Sequence, residues 1–115
     1  MAYKAIQGDI IWLTLDPQSG HEQKGRRPSL VVSNNSFNTF ARHTAMVCPI
    51  ISTNKDIPLH VRLDTRTITN GVILCDQAKI LDIVHREAEF IEKVPLDLLL
   101  EVIDIIQGII EVEEE

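Results

Sequence analysis

Apolar residues along this chain fall into short runs broken by turn residues, with one long exception near the C-terminal end. "GDIIWLTL" (8–15) is a β-rich run that follows a Gly-Asp turn and stops at "DPQSG", which predicts a central strand. "PSLVVS" (28–33) predicts a second strand opened by Pro28, since the first strand position tolerates a missing N–H. In "SNNSFNTF" (33–40), Ser and Asn caps precede Phe37 and Phe40 at i, i+3, the pattern of a short helical turn. "HTAMVCPI" (43–50) and "IPLHVRLD" (57–64) read as strands, the second through alternation of Ile57, Leu59, Val61 and Leu63. Asn70-Gly71 is a hairpin signal, "VILCDQAKIL" after it predicts one or two short strands, and "AEFIEKV" (88–94) alternates again.

The exception follows Pro95. Over roughly 96–112 the polar positions Asp97, Glu101, Asp104, Gly108 and Glu111 recur at i, i+4, i+7, i+11 and i+14, one narrow stripe of a helix. The remaining face, from Leu98 to Ile110, is wider than one small sheet needs. Either a second subunit covers the surplus, or the helix is sunk in its own core. The terminal "EVEEE" reads as frayed. The pattern as a whole predicts a mainly β (α+β) fold: residues 1–115 as one domain, a barrel of five to seven short antiparallel strands with a C-terminal helix.

Composition agrees with a globular chain: 115 residues, 44% apolar and 24% charged. The net charge of −6 first argues against a polyanionic partner, but its distribution reverses that reading. Residues 1–95 hold all 11 Lys and Arg against 10 Asp and Glu, a balance of +1, whereas residues 96–115 hold 7 acids and no base. A positive patch is therefore compatible with the acidic total. Cys48 and Cys75 sit in apolar runs without a metal-ligand spacing, the pattern of buried reduced thiols, with a disulfide as the alternative. No run of 18 apolar residues occurs, and "MAYKAIQGD" carries no hydrophobic signal region, so the expectation is a cytoplasmic protein with no membrane partner.

Between the first two strands the chain places "GHEQKGRR" (20–27), eight polar or glycine residues where a hairpin needs two to five of any kind. Many titratable groups on a loop between rigid strands are a common way to build a site. "ISTNKD" (51–56) is a second such loop.

These motifs, G-D-I-I-W at 8–12, D-P at 16–17 and G-H-E-Q-K-G-R-R-P at 20–28, resemble the MazF/PemK (Kid-like) toxin family. "VCPI" (47–50), "PLHV" (58–61), "GVILCDQ" (71–77) and "FIEKVP" (90–95) match in the same order, so the resemblance spans nearly the whole chain. It implies an SH3-like, partly open antiparallel barrel with a C-terminal helix, assembled as a homodimer. It also implies metal-independent, sequence-selective cleavage of single-stranded RNA, with mRNA as substrate, no cofactor, and a MazE-like antitoxin whose acidic tail covers the site.

Cleavage without a metal needs a base for the 2′-OH, an acid for the departing 5′-oxygen, and donors for the charge on phosphorus. By motif, Arg27 matches the family's essential arginine, and a guanidinium suits phosphate because its fork donates two parallel bonds; Arg26 occupies a variable position. The resemblance gives His21 an auxiliary role near phosphate, with an exposed bystander as the alternative. Glu22 and Gln23 either contact bases or brace the loop. Asp76 and Gln77 match a D-Q pair whose aspartate is the base in Kid-like relatives, helped by an arginine two residues earlier. Here that position is Leu74, so Asp76 is either base, brace or base reader. The usual threonine after the third strand is replaced by Ile51, which leaves Ser52 or Thr53 to supply the hydroxyl. Lys24, Lys55 and Lys79 complete the candidate RNA contacts. Stacking is expected to be weak, because the two loops hold no aromatic residue. Two alternatives accompany this reading: a catalytically weakened relative that binds RNA or antitoxin, and a CcdB-like gyrase-binding toxin.

Overall fold

The computed structural model describes residues 3–15, 25–53 and 57–115. Among these, the elements in chain order are β1 (Asp9–Leu15), β2 (Gly25–Val31), α1 (Asn35–Ala41), β3 (Thr44–Ile51), β4 (His60–Arg62), β5 (Val72–Leu74), a 3-10 turn (Cys75–Gln77), β6 (Lys79–Asp82), β7 (Glu89–Lys93) and α2 (Leu96–Ile110). Every pairing is antiparallel, in the order β4-β5-β3-β2-β1-β7, with β6 added on β3.

β3 folds the sheet over. Along one edge its first half, Thr44 to Val47, pairs with β6, while Ile50 and Ile51 pair with β5. The strand thus passes from one sheet into a second, and β4 and β7 form the two ends of the strand order. This is the partly open antiparallel barrel the sequence predicts.

The unbroken apolar run of β1 has a reason: both of its faces are covered. Ile10 joins Leu30, Cys48, Ile50, Ile73, Leu98, Leu99 and Val102 in one core beneath α2, whereas Ile11, Leu13 and Leu15 join Val31, Ala45, Val47 and Ile83 in another. Asp9 is buried where β1 begins, and its carboxylate accepts from the Tyr3 hydroxyl at 2.5 Å and from the Lys93 ammonium of β7.

The helical predictions hold with shifted ends. Asn34 caps α1 by accepting from Phe37 N–H at 2.8 Å; Asn38 is buried, while Phe40 is 87% exposed. α2 starts after Pro95, whose carbonyl receives the N–H groups of Leu98 and Leu99, and Asp97 lies in its positive first turn. It ends at Ile110, two residues short of the expected end, where Glu111 begins an acidic run at the negative pole of the helix dipole.

Three expectations are corrected. β2 begins at Gly25, so Pro28 lies inside the strand, opposite Trp12. Thr14 N–H donates to Arg86 O, away from β2, so Trp12, two residues before it, also points its N–H away. The nitrogen of Pro28 therefore faces the β3 side, where pairing starts only at Ser29, and no ladder bond is lost. The second correction concerns 57–64. Only His60 to Arg62 form a strand, because residues 57–59 make a turn closed by His60 N–H to Ile57 O at 2.9 Å.

The third is Asn70-Gly71, which does not form a two-residue hairpin. Residues 63–71 make a longer connection, held by the Glu92 carboxylate, which accepts from Ile68 N–H at 3.0 Å, Thr69 N–H at 2.7 Å and the Thr69 hydroxyl at 2.7 Å. Partial burial alone would raise the Glu92 acid; these donors outweigh it and hold the group below its ordinary value. Gly71 serves a close approach instead: at φ +127°, a Cβ there would lie 2.1 Å from Ile51 O and 3.3 Å from Ser52 Cα. Gly71→Ala is expected to destabilise the protein by about 3 kcal/mol, from strained backbone plus a steric clash, read by urea titration. A loss below about 0.5 kcal/mol would show that the end of β3 yields freely.

Candidate functional site

Strand register determines which residues meet. Ser29 pairs with Pro49, the last pair between β2 and β3, so Arg27 and Ile51, each two residues farther along, lie on the same side of the pleat as that pair. Ile51 pairs with Val72, and Val72 with Arg62. Ile51, Val72 and Arg62 thus form a paired row across β3, β5 and β4; Arg27 lies in line with it beyond the last β2–β3 pair, and the pair Leu74 and His60 follows two residues farther along. Arg26 points to the opposite face, where its guanidinium donates to Thr14 Oγ1 at 3.0 Å, Glu87 O at 2.8 Å and Glu89 Oε1 at 3.0 Å. Adjacent in sequence, the two arginines are separated by the pleat: Arg26 braces β1 and β7, and Arg27 lies on the face that carries the other candidates.

Ser52 and Thr53 are exposed and follow the last residue of β3 in a bend. Because the strand ends at Ile51, Ser52 is the first hydroxyl freed from the pleat, as the turn-rich "STNKD" suggests.

Asp76 lies in the 3-10 turn after β5, with a side chain 41% exposed. Its partner is a residue to which the sequence assigned no role. His60 reaches across from β4, and its Nε2 stands 3.2 Å from Asp76 Oδ1. The imidazole is only 9% exposed, and its Nδ1 is buried without a hydrogen-bond partner among the described residues. The backbone reinforces the contact, since Cys75 N–H donates to Leu59 O at 3.2 Å. Leu74, at the position where the resemblance expects an arginine, is buried opposite His60. Gln77 ends the 3-10 turn and Lys79 opens β6 opposite Val47, so both follow Asp76 closely in space as in sequence.

The cysteines are free and buried in one core, so the disulfide alternative is not realised. Burial pushes the Cys75 thiol up to about 12 and the Cys48 thiol higher still, which removes both as thiolate nucleophiles. Among the described residues no three His, Cys, Asp or Glu side chains are grouped to hold a metal ion, and no helix is long and apolar enough to cross a membrane. His21, Glu22, Gln23, Lys24 and Lys55 lie outside the described residues.

Sequence reading missed His60 and Arg62. "PLHV" contributed to the resemblance, but alternation along one short strand contains no information about which residue of another strand it will face.

Fold and site together define a class: small, partly open antiparallel barrels with a C-terminal helix, bearing an arginine at one strand end and an exposed carboxylate beyond another. A family model described as PemK-like, MazF-like toxin of type II toxin-antitoxin system matches residues 6–110, and the chain belongs to that family. Endoribonuclease PemK of Escherichia coli is 37% identical over 101 residues, covering 84% of this chain and 75% of that protein. Endoribonuclease EndoA of Bacillus subtilis is 33% identical over 112 residues, covering 85% of this chain and 96% of that protein. The crystal structure of MazF from Deinococcus radiodurans superposes with a TM-score of 0.89 at 35% identity, covering 96% of this chain and all of that one. A MazE–MazF complex from the same organism gives a TM-score of 0.84 at 35% identity, over 97% of this chain and 100% of that one.

Proposed function

We propose that this chain is the endoribonuclease toxin of a type II toxin–antitoxin pair, cutting single-stranded mRNA at a short sequence in the cytoplasm. The observation that carries the reading is the match to proteins named endoribonucleases over most of their length. The geometry suits the chemistry. In this reading Arg27 holds the scissile phosphate, Asp76 takes the proton of the 2′-OH, and Ser52 donates to phosphate where Ile51 cannot. Arg62, at the far end of the same row, offers a second phosphate contact. The partner is an antitoxin of the MazE kind, as in the complex of the Deinococcus relative.

The test is incubation of purified toxin with mixed-sequence RNA in EDTA, followed by end mapping. Expected products carry a 2′,3′-cyclic phosphate or 3′-phosphate and a 5′-hydroxyl. A strict requirement for added Mg²⁺ or Mn²⁺ would overturn the mechanism. Ile51 sustains a second reading, a weakened relative retained for binding; RNA binding without any cleavage in this assay would favour it.

The proposal includes a homodimer. On α2, Leu98, Leu99 and Val102 are buried and Ile105 and Ile106 pack on the same core. Leu96, Leu100 and Ile110 follow at i, i+4 and i+14, an exposed apolar stripe flanking Ile103, which itself packs on the core; in the stripe Leu100 is 59% exposed and Ile110 74%. The stripe is what a second copy would cover. Ile106 packs on the chain's own core, so substituting it disturbs folding, whereas Leu100 lies off that core, so Leu100→Glu isolates the interface. It is expected to convert dimer to monomer by light scattering while thermal unfolding of the chain stays cooperative. A dimeric Leu100→Glu protein would place the interface elsewhere.

A further inference from the structure

We propose that His60 is a positioning residue for RNA cleavage: its Nε2–H holds one oxygen of the Asp76 carboxylate and leaves the other to take the proton of the ribose 2′-OH. The inference rests on the reading of Asp76 as the base and adds the group that makes it competent. Four observations carry it. The Nε2 to Asp76 Oδ1 distance is 3.2 Å. The imidazole is almost wholly buried while Asp76 remains open to solvent, so the pair has a fixed member and a reactive one. Cys75 N–H to Leu59 O ties the backbone just before Asp76 to the residue before His60, so ring and main chain fix one geometry. Finally, His60 Nδ1 is buried with no partner among the described residues. We therefore assign the tautomer with its proton on Nε2, the nitrogen that has an acceptor in the Asp76 carboxylate. An apolar ring would fill the same space without burying an unsatisfied nitrogen; what the imidazole adds lies at Nε2.

The step balances within the groups named. Asp76 takes the 2′-OH proton, and the 2′-oxygen bonds to phosphorus as the bond from phosphorus to the 5′-oxygen breaks. The 5′-oxygen leaves with a proton drawn from water, and Asp76 returns its own to water. A carboxylate free to rotate would meet the 2′-OH in few of its orientations, so the hydrogen bond acts on the rate of the chemical step and little on RNA affinity.

Two amide variants separate this role from simple packing. Glutamine places its N–H near the position of Nε2, whereas asparagine places it near Nδ1. With a short RNA containing a mapped cut site, His60→Gln should retain kcat within about threefold, and His60→Asn should lose about 10-fold to 100-fold in kcat with KM within about twofold. In an Asp76→Asn background the two should cleave alike, because the group being positioned is gone. Equal kcat for the two single variants would overturn the proposal, as would a loss confined to KM. Asp76→Asn cleaving at the wild-type rate would overturn both the base assignment and the role of His60, with RNA cleavage itself still standing. Absence of cleavage by the unaltered protein would instead reject the enzyme reading.

Discussion

RNA with a single 2′-deoxyribose at the scissile position is expected to bind this protein normally and to resist cleavage, with a rate loss of more than about 1,000-fold (~4 kcal/mol). The reason is chemical economy. RNA contains its own nucleophile next to each phosphate, so a protein needs only to remove the 2′-OH proton, hold the phosphorus oxygens and let the 5′-oxygen leave. The residues of the candidate site suit those tasks: an arginine on the sheet face, a carboxylate held by a buried imidazole, and a hydroxyl just beyond β3. The cysteine thiols are held protonated by burial, which removes both as thiolate nucleophiles. Binding should survive because it draws mainly on phosphate contacts, which the sugar change leaves intact. Matched oligonucleotides with and without the deoxy sugar, compared by gel for cleavage and by anisotropy for binding, decide the matter. Cutting at the deoxy position would mean that the nucleophile is not the 2′-oxygen of the RNA.

Arg27→Ala is expected to lower the cleavage rate by about 100-fold or more, the effect of removing one transition-state donor (~3 kcal/mol), with the melting curve little changed. Arg26→Ala should cost far less in rate. Arg26 bonds to Thr14, Glu87 and Glu89 on the opposite face, so its loss touches the β1–β7 seam; the charged partner is solvent-exposed, which keeps the stability effect small. Arg27→Lys should recover only part of the activity, because an ammonium keeps the charge without the two-pronged donor geometry. Single-turnover rates together with thermal melts of all three variants check this. Equal rate losses for Arg26→Ala and Arg27→Ala would mean that any cation near the strand suffices.

Local patterns in the sequence determined the parts that local forces build. The run from Ile10 to Leu15, the alternation before Pro95 and the stripe from Asp97 to Glu111 each encode one element, because a strand repeats every two residues and a helix every 3.6. The candidate arginine also came from local sequence: Arg27 was nominated by its neighbours Gly25, Arg26 and Pro28 in the chain. Where pairing between distant segments sets the outcome, those patterns misled or were silent. Gly71 looked like a turn residue, yet its lack of a side chain answers to the carbonyl of Ile51, twenty residues away. Pro28 looked like a strand start, yet it is tolerated inside β2 because β3 has not begun to pair there. His60 was one polar residue in a strand three residues long until β4 lay beside β5 and brought its ring to Asp76. The surplus apolar width of α2 was visible from periodicity, but only the packed helix separated the stripe on its own core from the stripe through Leu100, because burial belongs to the neighbours a side chain meets and not to its spacing.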